Sequence, residues 1–155
     1  MINWLFKKFK RDEYNLYDGK IIPFSHYKYI LYLSYIGTIS PLYMFYYNCN
    51  FFGILSSFVS FTCINYWRNP TIGWRRDLDM SYMKIILLHN IICGLFIEHK
   101  FIYFSVIFSG ISSYFLGVMF YNMDMLNIST LFHGFVHILS HTSSYMIFRY
   151  FYFIS

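Results

Sequence analysis

Four histidines interrupt stretches that are otherwise apolar. His89 stands alone in one of them. His133, His137 and His141 recur at intervals of four in another, within His133-Gly134-Phe135-Val136-His137-Ile138-Leu139-Ser140-His141. On a helix that spacing places the three rings along one slowly drifting face. Imidazoles one turn apart can grip a single ion, and zinc accepts them readily. Asp77 and Asp79 lie in the most polar part of the chain, Asn65 to Met80. A carboxylate there could ligate a metal, orient a histidine or serve as general base to a bound water. Ser60 and Asn65 are candidate hydrogen-bond donors to the same place.

Each of these groups also has a plainer account. Histidines within a membrane commonly bond one helix to another. Asp77 and Asp79 beside Arg75 and Arg76 can form a surface ion-pair cluster, with Asp79 capping a helix. Arg75, Arg76 and Trp74 could grip a lipid phosphate, but a topology anchor explains them as well. Cys49, Cys63 and Cys93 form no CxxC and read as small core-filling residues rather than a disulfide framework or thiolate site.

The elements that must carry these residues follow from composition. Of 155 residues, 57% are hydrophobic and 12% charged, about half the charged share that a soluble domain uses to cover its surface. Five windows are long and apolar enough for spans: about 29–47, 51–67, 81–97, 101–121 and 128–151. Tyr and Trp cluster at their ends, as at a headgroup belt. No period-two alternation persists, so strands are a poor reading. The expected fold is an all-α, polytopic membrane bundle of about five transmembrane helices. Residues 29–155 form one transmembrane domain, preceded by a basic segment, residues 1–28. Lys7, Lys8, Lys10, Arg11 and Lys20 share a side with Arg68, Arg75 and Arg76. That predicts the N-terminus inside and the C-terminus outside. Trp4, Leu5 and Phe6 beside the lysines offer an interfacial alternative to a pure topology signal.

Depth along the spans suggests which histidines meet. Counting from Ser81, His89 lies about 12 Å from the inner face; counting from Ile128, His133 and His137 lie roughly 8 and 14 Å from it. These three are expected at one level. Ser105, Ser109, Gly110, Ser113 and Gly117 give the fourth span a small-residue pattern suited to close helix packing.

The run from His133 to Tyr145 resembles the last helix of the alkaline ceramidases, part of the superfamily that includes the adiponectin-type receptors. Those proteins have seven membrane helices and are zinc-dependent hydrolases of amide or related bonds in lipids. The resemblance makes His133 and His137 the matching zinc ligands, with Ser60 and Asp79 loosely matching the family's serine and acidic residue. Four residues after Ser60 stands Ile64 where the family has a third histidine ligand, and five spans are fewer than seven. His89 would have to replace the missing ligand. The resemblance then implies metal-assisted hydrolysis of a ceramide-like lipid. A metal held by His133, His137 and His89 would activate a water, Asp79 would orient or deprotonate it, and Ser60 would donate to the developing oxyanion.

Two rival classes stay open. Two histidines on different helices can ligate a haem, so His89 with His133 or His137 would suit a small redox anchor. Alternatively the chain has no chemistry and is an accessory or structural subunit in contact with the lipid bilayer and other membrane proteins. A proton pump or channel usually needs carboxylates in mid-span, and Asp77, Asp79, Glu98 and Asp124 all fall near span ends. Nucleic acid is an unsupported partner, since the inner loops account for the net charge of +5.

Overall fold

The computed structural model describes residues 20–153, and all of their regular structure is helical. Most of the basic segment, with Trp4 to Phe6 and Lys7 to Arg11, lies outside the described residues. The helices are α1 (Phe24–Ile36), α2 (Ile39–Tyr46), α3 (Asn50–Trp67), α4 (Trp74–Gly94), α5 (Lys100–Asn122) and α6 (Leu126–Phe153).

The first expected span is broken into α1 and α2, and the local chemistry shows why. Pro41 sits in the first turn of α2 and has no N–H to offer Gly37. The Gly37 carbonyl instead accepts from Ser40 N at 3.2 Å, a tighter turn than the α-helical one. The remaining expected spans coincide with helices. α4 starts seven residues ahead of its apolar window, because Gly73 at φ 140° lets the chain turn into a helix at Trp74.

Turns are as short as the sequence requires. Asn48 and Asp124, at φ 58° and 61°, close the α2–α3 and α5–α6 hairpins. Asn and Asp are the residue types that best tolerate that left-handed backbone. One end of the bundle therefore gathers the start of α1, the α3–α4 loop and the α5–α6 turn. Ile21 ties them together: its N–H donates to Pro70 O at 2.9 Å, and its carbonyl accepts from Tyr121 Oη at 3.0 Å.

α6 is the hub, packing along α5 and also touching α1, α2 and α4. Gly117 and Gly110 lie in the α5–α6 contact, where an added Cβ would meet Ser129 O at 3.5 Å and Leu139 Cβ at 3.6 Å, ordinary van der Waals distances. Ser113 is buried in the same face, whereas Ser105 and Ser109 are exposed. Two apolar clusters result. One joins Ile22, Tyr27, Ile30, Val59, Cys63, Tyr66, Trp67 and Ile86. The other, toward the opposite end, joins Ile97, Tyr103, Ile107 and Ile147.

One described helix, α5, is long and apolar enough to cross a membrane. α1 and α2 are too short singly, at 13 and 8 residues. α4 carries Arg75, Arg76, Asp77, Asp79 and Lys84, and Asn, Ser and Tyr dilute the apolar residues of α3 and α6. The all-α expectation is thus matched, while crossing by length and apolarity is confined to α5 among the described helices.

Candidate functional site

The histidine stripe of α6 faces inward. His133 packs edge-on against Trp67 at the end of α3, ring centroids 4.8 Å apart. His137 follows at 5.4 Å from His133 and is 8% exposed. The His141 ring lies against Gly37, filling the space a Cβ would occupy at the break between α1 and α2. The stripe therefore runs from the α3 terminus to the α1–α2 break.

Asp79 meets α3 near the same terminus, at Thr62 and Cys63. It falls in the second turn of α4, so the expected capping role belongs instead to Gly73, and only Asp77 occupies the first turn, exposed. Cys63 and Thr62 of α3 reach the Asp79 carboxyl, while its Oδ1 is buried with no hydrogen-bond partner. Burial pushes this carboxyl above its ordinary 3.8, and the Cys63 and Thr62 contacts offset part of the rise.

His89 is not brought to His133 and His137. Its Nδ1 pairs with Asn90 Oδ1 at 3.2 Å and its Nε2 with Cys93 Sγ at 3.4 Å, and its ring lies 5.9 Å from that of Phe52. The early start of α4 is the reason. His89 lies about 22 Å along its helix from Trp74, against about 10 and 16 Å for His133 and His137 from Leu126. Ser60 is buried, its hydroxyl donating to Ser56 O at 3.2 Å within α3.

Sequence reasoning passed over the residue that makes the most connections. Asn90 Nδ2 donates to Ser143 Oγ at 3.2 Å and Ser144 Oγ at 3.4 Å, and Tyr103 Oη donates to Asn90 O at 2.8 Å. One asparagine thereby joins α4, α5 and α6. The signal was present: Asn90 is an amide within Ile85-Ile86-Leu87-Leu88-His89-Asn90-Ile91-Ile92. Beside it a void of about 20 Å³, the size of one water, lies among Met44, Ser56, Ile86, His89 and Ser144.

The donor set fits a zinc ion in part. His133 and His137 are adjacent, but no group of three His, Cys, Asp or Glu side chains suited to a metal forms among the described residues. A haem would need His89 opposite His133 or His137, and His89 is instead engaged by Asn90, Cys93 and Phe52. No protein-family model matches the chain, and no curated protein or solved structure matches it.

Proposed function

We propose that this chain is an integral membrane protein of the structural or accessory kind, in which buried polar side chains clamp helix to helix. The observation that carries the proposal is Asn90, whose side chain and carbonyl join three helices. Ser129 repeats the pattern, donating to Gly117 O at 2.8 Å across the α5–α6 contact. Interhelical bonds of this kind are the ordinary use of polar groups in a bilayer. The outer surface supports the membrane reading: Phe101 is 93% exposed, and Tyr32, Leu42, Phe58, Phe61, Leu88 and Phe108 are all more than half exposed. Apolar exposure on that scale marks contact with lipid or partner proteins. Five spans, an inside N-terminus and an outside C-terminus belong to the same proposal and rest on the window lengths and the Lys and Arg distribution.

A second reading keeps a metal-dependent lipid hydrolase. Two observations favour it: the adjacent rings of His133 and His137, and the buried unpartnered Oδ1 of Asp79 near the same end of α3. In that reading His133 and His137 hold zinc, which would supply an activated water.

Metal and haem content of the detergent-purified protein, measured beside a His133→Ala/His137→Ala variant, separates the readings. The structural proposal expects neither zinc nor a Soret band in either protein. About one zinc per chain, lost in the variant, would replace it with the hydrolase. A Soret band lost in the variant would replace it with a redox anchor.

A further inference from the structure

α1 and α6 line a groove of about 310 Å³ that no element of the described chain fills. Its volume is within the range of ligand sites. The walls are graded. His26 and Asn127 stand at one end, hydrogen-bonded to each other from Nε2 to Oδ1 at 3.0 Å. Tyr29, Leu33, Leu131, Phe135 and Ile138 continue the lining away from them. Gly134 forms part of the floor; a Cβ there would come 3.1 Å from Leu33 Cδ1. From His26 to Leu33 the wall extends about 10 Å, and from Asn127 to Ile138 about 16 Å.

The polar end is also the cationic end. Lys28 places its Nζ 5.0 Å from the ring centroid of Tyr29, a lining residue. A chain-shaped apolar slot with a polar pair at one end and an ammonium group beside its lining complements an anionic amphiphile. We propose that the α1–α6 groove holds one acyl chain of an anionic glycerophospholipid, its headgroup at Lys28, His26 and Asn127. The inference rests on the membrane reading above, since the lipid would enter laterally from the bilayer.

The test reconstitutes the chain, extracted from the membrane fraction with detergent, into vesicles of equal parts phosphatidylcholine and phosphatidylglycerol. It is then re-extracted and its retained lipid counted by native mass spectrometry. One phosphatidylglycerol per chain is expected. Leu131→Trp, at an exposed lining position, is expected to abolish retention, as is Gly134→Leu from the floor. Lys28→Glu is expected to lower phosphatidylglycerol retention by about fivefold or more, the worth of one lysine at an anionic surface. Leu131→Trp replaces a surface residue and keeps the test intact if Gly134→Leu fails to fold. Equal retention of both lipids, retention of detergent or free fatty acid alone, or retention unchanged in Leu131→Trp would overturn the groove assignment. None of these touches the membrane reading, which fails separately if the chain is recovered outside the membrane fraction.

Discussion

Asn90 Nδ2 donates to Ser143 Oγ at 3.2 Å, and this bond fixes the register of α4 against α6. Asn90 lies sixteen residues after the first residue of α4 and Ser143 seventeen after that of α6, so the two helices start level at one end of the bundle. The pairing also decides where His89 goes. It is carried to the level of Ser143 and away from His133.

Replacing Asn90 with Leu removes both side-chain bonds to α6 and the one to His89, but leaves the Tyr103 bond to the backbone carbonyl. A loss of about 0.6–2 kcal/mol is expected, the range of interhelical hydrogen bonds in membranes. Thermal unfolding in detergent measures it. An unchanged midpoint would remove Asn90 from the role of clamp.

The Gly37–His141 contact predicts a dependence between two positions. Gly37→Ala forces a methyl into the His141 ring, and overpacking of this kind costs about 1–3 kcal/mol. In a His141→Ala background the same substitution is expected to cost little. A double-variant cycle reads the coupling directly, and additive costs would contradict the contact.

Asp79 gives the bundle a pH dependence. Its folded carboxyl titrates above 3.8, so the folded state holds its proton more tightly than the unfolded chain. The stabilising contribution is full below 3.8 and is lost as pH rises through the folded value. Asp79→Asn should flatten that part of the stability profile. A slope of equal size in the variant would assign it to another group.

Helix order was legible because apolar length and short polar turns specify it, and four of the five expected windows coincide with helices. The internal register was not. Whether His89 meets His133 depends on where α4 begins, and that is set by Gly73 and by charged residues that an apolar window leaves out. Trp67 against His133 could not have been read from spacing at all, since the contact joins residues far apart in the chain. Asn90 was legible in principle as an amide in an apolar run, but the neighbouring histidine drew the chemical reading.

The membrane claim meets its most direct test in alkaline carbonate extraction of membranes from cells that express the chain. The account predicts that the protein stays in the pellet and is released by detergent. Recovery from the carbonate supernatant as a folded, monodisperse protein would contradict it.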